Sequence, residues 1–138
     1  MIRVVAAAAL LFALVGCGAS QPSASEVVRE WSAALQADDN ERAASLFADD
    51  AAIVQGNQLT TLHARADALR WNARLPCAGQ VVALKERGSS ATATFRLRDR
   101  KHHRCADPPG AEAIAVFVVE RGKIVLWAQI GSQVALSH

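Results

Sequence analysis

The sequence predicts an α+β domain, with helices in its first half and a sheet of hairpins in its second. Three observations carry that expectation. Apolar residues recur at helical spacing in stretches between residues 27 and 75. From residue 80 onward they alternate with polar residues in runs joined by glycine turns. Setting aside a short apolar run at the N-terminus leaves about 120 residues, which suits one domain with one core.

Val27, Trp31, Ala34 and Leu35 stand at i, i+4, i+7 and i+8, the apolar stripe of a first helix. Ser23, with Glu26 three residues later, is a capping-box start. Asp38-Asp39-Asn40 breaks that helix, and Asp39 caps a second one running to about Ala48, with Leu46 and Phe47 turned inward. Asp49 and Asp50 form an acidic corner, and a short strand, Ala51–Gln55, follows it. Leu62 to Leu75 reads as a third helix, stopped by Pro76. Leu62, Ala66, Leu69 and Ala73 line one side of it, and Ala64, Ala68, Trp71 and Leu75 the other, so both sides are covered.

Gln80–Glu86 and Ala91–Arg98 flank the turn Arg87-Gly88-Ser89-Ser90. In the second of these strands Ala91, Ala93, Phe95 and Leu97 alternate with Thr92, Thr94, Arg96 and Arg98. Ala113–Glu120 and Lys123–Ile130 make a last hairpin around Arg121-Gly122. Simple alternation turns Val125, Trp127 and Gln129 one way and Ile124, Leu126, Ala128 and Ile130 the other.

Arg3, the apolar run Val4 to Val15 and the small residues before Cys17 read as an export signal. The run is shorter than the roughly 20 residues a spanning helix needs. Leu14-Val15-Gly16-Cys17 resembles the lipobox of bacterial lipoproteins, which implies cleavage after Gly16 and a lipid on Cys17. The chain then divides into a signal (1–16), a lipidated cysteine and short tether (17–22) and one domain (23–138). It would sit on the outer side of a bacterial membrane, on a tether that spans at most roughly 18 Å from Gly18 to Pro22.

Apart from Cys17, two cysteines remain in an oxidising compartment, where a disulfide is the default. Cys77 enters one strand of the first hairpin and Cys105 lies past the end of the other, so both fall at one end of it. A zinc site from His102, His103, Cys105 and Cys77 lacks the usual regular ligand spacing, so no metal or other cofactor is expected. The formal charge of +2, with scattered basic residues, gives no reason to expect a nucleic-acid partner.

The opening from Val27 to Ala51, with its LFADDA segment, resembles the nuclear transport factor 2-like superfamily, nearest its ketosteroid isomerase-like and SnoaL-like branches. The resemblance extends in pattern from about Glu26 to Ile130. It implies a cone, or cystatin-like roll, of three helices packed in a strongly curved antiparallel sheet around a pocket. It also implies a homodimer through the outer sheet face, here Ile124, Leu126, Ala128 and Ile130.

Ketosteroid isomerases work with a carboxylate base and an oxyanion hole of a tyrosine and a protonated aspartic acid. In this chain those positions fall on Gln55, Trp31 and, within one residue, Ile114, and the chain has no tyrosine. Neither Gln55 nor Ile114 exchanges a proton near neutral pH, and an indole is a donor only. His63 and Asp67 are the candidates for any other acid–base work, though the bland readings are a capping residue and a salt-bridge partner. The expected pocket is apolar and aromatic, from Trp31, Phe47, Trp71, Phe95, Val116 and Trp127, with Gln55 and Gln129 as its polar groups. Three readings follow: a non-catalytic domain binding an apolar small molecule or a protein, a SnoaL-like lyase, cyclase or hydrolase, and a structural lipoprotein whose core fills the cone.

Overall fold

The computed structural model describes residues 20–133, so the signal, Cys17 and the last five residues lie outside the described region. Helix α1 (Ala24–Gln36) starts at the expected capping box. Ser23 Oγ accepts from the Glu26 N–H at 3.2 Å, and the Ser23 N–H donates to Glu26 Oε2 at 2.6 Å. Val27, Val28, Trp31, Ala34 and Leu35 form its buried stripe. Asp38 then turns the chain at φ 57, a left-handed conformation that aspartate tolerates. Asp39 caps helix α2 (Asn40–Ser45) by accepting from the Arg42 N–H at 3.0 Å. Glu30 and Arg42 join the two helices at 2.7 Å, and the hydrogen bond from Arg42 holds the Glu30 carboxyl below its ordinary value.

Two of the expected boundaries move. Helix α2 ends at Ser45, not near Ala48, because Phe47 already pairs with Ile124 and opens strand β1 (Phe47–Gln55). The third helix does not begin at Leu62. Strand β2 (Gln58–Leu62) pairs back onto β1 through a turn at Gly56-Asn57, with Gly56 at φ 57. A Gly-Asn pair between two short runs is a hairpin signal, here masked by the apolar spacing that continues from Leu62. Helix α3 is Arg65–Arg74.

Strands β3 (Ala78–Arg87), β4 (Ser90–Arg98), β5 (Glu112–Glu120) and β6 (Lys123–Gln133) complete a six-stranded curved sheet. Its order is β2-β1-β6-β5-β4-β3. The β1–β6 pairing is parallel and the others antiparallel, so the sheet is mixed rather than wholly antiparallel. The ladders slip beside β1, within β3–β4 and twice within β5–β6, and such bulges bend a sheet toward a cone.

The slips also correct the face assignments. Val118 pairs with Leu126 but Val119 with Ile124, so Val125 is the extra residue. Ile124 therefore turns inward beside Trp127 and is fully buried, instead of standing on the outer face. Leu126 and Ala128 do stand there, half-buried, and Ile130 is exposed. Val116 is paired across the sheet with Thr92 and Ala128, on the side opposite buried Ala115 and Phe117, so it faces outward too. Cys77 and Cys105 are joined, with Cα atoms 4.6 Å apart, as the hairpin geometry predicts.

Candidate functional site

The inner face of the sheet and helix α1 meet in an aromatic cluster with Trp31 at its centre. Its ring lies 5.4 Å from Phe117, 5.8 Å from Phe95, 6.2 Å from Trp127 and 6.4 Å from Trp71, centroid to centroid. Phe47 and Trp71 back this cluster, 5.5 Å apart. At one end of the cone the cluster stops short of filling the space. A cavity of about 210 Å³ remains there, walled by Trp31, Leu35, Phe95, Leu97, Ala113 and Trp127. Gln55 and Gln129 also line it, and the segment Leu75 to Gly79 and Asp107 form its rim, with the disulfide at the mouth.

Five of the eight residues expected in the pocket line this cavity: Trp31, Gln55, Phe95, Trp127 and Gln129. Phe47 and Trp71 sit behind the wall, and Val116 is on the other side of the sheet. Of the three isomerase positions, Trp31 and Gln55 are in the wall, whereas Ile114 faces outward and its neighbour Ala113 lines the cavity. A position counted to within one residue cannot fix a face when the period is two.

Most polar groups near the cavity have a definite assignment. Trp31 Nε1–H donates to Asn72 Oδ1 at 2.8 Å, and Asn72 Nδ2 donates to Ala68 O at 2.8 Å, so the Trp31 donor is spent inside the core. Trp71 Nε1–H donates to Gln55 Oε1 at 3.3 Å. Trp127 Nε1 is buried and has no acceptor among the described residues. Gly79 O accepts from Ser32 Oγ at 2.6 Å and from Gln36 Nε2 at 3.1 Å, which pins α1 against the start of β3. Gly79 is required there, since a Cβ would lie 2.6 Å from Phe95 Cβ and push that ring into the cavity wall.

The two acid–base candidates lie elsewhere. His63 is in the link between β2 and α3, exposed, with Nδ1 3.1 Å from Asp50 Oδ1. Asp67 accepts from the backbone N–H groups of His63 (3.0 Å) and Ala64 (3.3 Å) and pairs with Arg70, so it fastens the start of α3. Neither borders the cavity. Asp107 is the one carboxylate in the lining, and it sits exposed at the rim, with Oδ2 3.2 Å from Cys77 Sγ. A disulfide sulfur has no proton to give, so this is a contact and not a hydrogen bond. Nor can the bonded sulfurs serve as thiolate ligands, and His103 is turned to Asp38 at 3.3 Å, so the zinc arrangement weighed from sequence is not assembled.

Arg100 is the residue the sequence reading missed. Its side chain is 1 % exposed, and Nη1 donates to the carbonyls of Asn72 (2.7 Å) and Leu75 (2.9 Å). Nη2 donates to Asn40 Oδ1, and Nε lies 2.8 Å from Asp38 Oδ1 as an ion pair. One guanidinium thus clasps the α1–α2 corner to the end of α3, the helix that carries both Asn72 and Trp71.

No family model and no curated protein matches the chain. Solved structures do. An NTF2-like protein of unknown function from Cytophaga hutchinsonii aligns at 12 % identity with a TM-score of 0.63, covering 81 % of this chain and 92 % of that one. A hypothetical protein with a ketosteroid isomerase-like fold from Catenulispora acidiphila, in complex with trimethylamine, aligns at 18 % identity and 0.62, covering 81 % and 87 %. A cystatin fold protein from Novosphingobium aromaticivorans aligns at 17 % identity and 0.61, covering 80 % and 99 %. The chain has the nuclear transport factor 2-like fold.

Proposed function

We propose that this fold serves here as a binding domain of the bacterial cell envelope, holding a small, mostly apolar molecule in the open end of its cone. The observation that carries the reading is the cavity itself. It is walled by aromatic and aliphatic side chains, and the acid–base candidates lie outside it. Recognition sites have that composition, a mostly apolar wall with a few placed polar groups. At about 210 Å³ it exceeds the roughly 150 Å³ cavity that holds benzene. A one-ring molecule fits.

The placement of Gln21 and Pro22 supports the envelope reading. Gln21 and Pro22 lie against Gly122, in the turn after β5, whereas Ala113 near the start of β5 lines the cavity. Strand β5 has nine residues and spans roughly 26 Å. An anchor on Cys17 would hold the domain by one end and leave the mouth at the other. The outer face carries Leu59, Val54, Ala128 and Val116 as successive cross-strand partners, an apolar row suited to a second copy of the chain.

Native mass spectrometry of the full-length gene product, extracted from its host membrane and never reduced, tests the whole reading. The expected species is a dimer of chains beginning at a lipid-modified Cys17, with a reproducible small-molecule adduct. An unprocessed chain would sink the anchor, and a monomer the self-association. A clean protein mass, with no uptake from a panel of one-ring aromatic compounds, would sink the binding reading.

A further inference from the structure

We infer that the cavity selects an uncharged ligand bearing a carbonyl-type hydrogen-bond acceptor, held by the side-chain amide of Gln55, with Trp71 as the positioning residue. The inference rests on the binding reading above and adds the ligand's chemical class. An indole N–H can only donate, so the Gln55 amide must turn its oxygen toward Trp71 Nε1. With Oε1 committed to Trp71, the hydrogen-bonding capacity left to the amide is the pair of N–H donors on Nε2, in a side chain that lines the cavity. That nitrogen has no acceptor among the described residues.

The Trp31 indole brings no competing acceptor. Its ring lines the cavity, and its N–H goes to Asn72. Trp127 Nε1–H is buried without a described acceptor and is closed off from the cavity, so it leaves the amides of Gln55 and Gln129 as the side-chain groups that can address a ligand inside. The donors that geometry commits at the wall are therefore those of Gln55, while among the described lining residues the carboxylate, Asp107, is out at the rim. A ligand carbonyl placed inside gains a hydrogen bond, and a hydrocarbon of the same shape leaves the donors unpaired. A carboxylic acid carrying the same ring would meet neutral donors without a compensating cation, because among the described residues neither lysine nor arginine lines the cavity.

Acetophenone and α-methylstyrene, which differ by C=O against C=CH2, are the probes. Their affinities are compared on the full-length protein and on Trp71→Phe and Gln55→Glu by NMR titration. The first variant frees the amide to rotate, and the second keeps an oxygen for Trp71 while removing both donors. The expected result is a preference for acetophenone, relative to α-methylstyrene, that falls roughly three- to tenfold in each variant. In the unmodified protein, the Gln55 side-chain amide resonances should move with acetophenone and stay with α-methylstyrene. A ratio unchanged in both variants, or amide resonances that respond alike to the two probes, would overturn the inference. Binding of α-methylstyrene alone would overturn it too and leave the pocket standing. Binding of neither would remove the pocket reading with it.

Discussion

Replacing Arg100 with methionine tests the clasp that holds the helices over the cone. The guanidinium is 1 % exposed and Asp38 is 10 % exposed, so the substitution strands a carboxylate with only the exposed His103 beside it. It also takes the donors from the carbonyls of Asn72 and Leu75 and from Asn40 Oδ1. Removing one partner of a buried pair costs about 3–5 kcal/mol, against a total of about 5–15 kcal/mol for a domain. Urea unfolding at pH 7 without reductant, followed by tryptophan emission, should show that loss as a lower midpoint. Part of the loss comes from the orphaned charge and should return when Asp38→Asn is added to Arg100→Met. Arg100→Lys should recover little, because a single ammonium cannot reach acceptors on three sides. A loss below about 1 kcal/mol, or a double variant no more stable than Arg100→Met alone, would refute the idea that the ion pair organises the corner.

Two further perturbations read other parts of the fold. Breaking Cys77–Cys105, by Cys77→Ala with Cys105→Ala, opens a link between residues 28 apart and should cost about 3.5 kcal/mol on the chain-entropy estimate. A melting temperature within about 3 °C of the parent would show that the bridge constrains little. Arg42→Ala should cost only a few tenths of a kcal/mol at pH 7, because the pair with Glu30 is half-exposed and screened. Glu30 titrates below its ordinary value when folded, so its contribution is present above pH 4.5 and fades as the pH falls below that. The stability gap between parent and Arg42→Ala, from urea curves at pH 7 and pH 3, should therefore narrow at pH 3. A gap that is larger at pH 3 would contradict the assignment.

What could be read in the sequence was whatever depends on near neighbours. Ser23 with Glu26, Asp39 at the head of α2 and the hairpin that brings Cys77 to Cys105 are set by residues close in the chain, and each stands as expected. Alternation fails where the ladder slips. Simple alternation puts Ile124 on the wrong face because Val125 is an extra residue in the β5–β6 ladder, and no local spacing announces it. The third helix was begun early because Leu62 fits both a helical stripe and the end of β2. Arg100 was illegible for another reason. Its partners Asp38, Asn40, Asn72 and Leu75 are all at least 25 residues away, and in the chain it reads as one more cation before Lys101-His102-His103-Arg104. The Trp71–Gln55 bond crosses 16 residues and is hidden likewise, although the sequence places both residues in the expected pocket.

The size of the cavity follows from how the chain uses its three tryptophans. Trp31 turns its N–H away from the cone to Asn72, which the Arg100 clasp holds by its carbonyl, so a position that could have addressed a ligand is built into the core. Trp71 packs against Phe47 and Trp127 and orients Gln55 from behind. These rings occupy the depth of the cone and leave about 210 Å³ at its mouth, below the roughly 300–1,000 Å³ of sites that take drug-sized ligands. A fused four-ring molecule would need the Trp31–Asn72 bond broken and the aromatic cluster reopened. On the proposed binding reading, the same residues that stiffen the fold would set an upper limit on the ligand, and the Gln55 amide bonded to Trp71 would set its polarity.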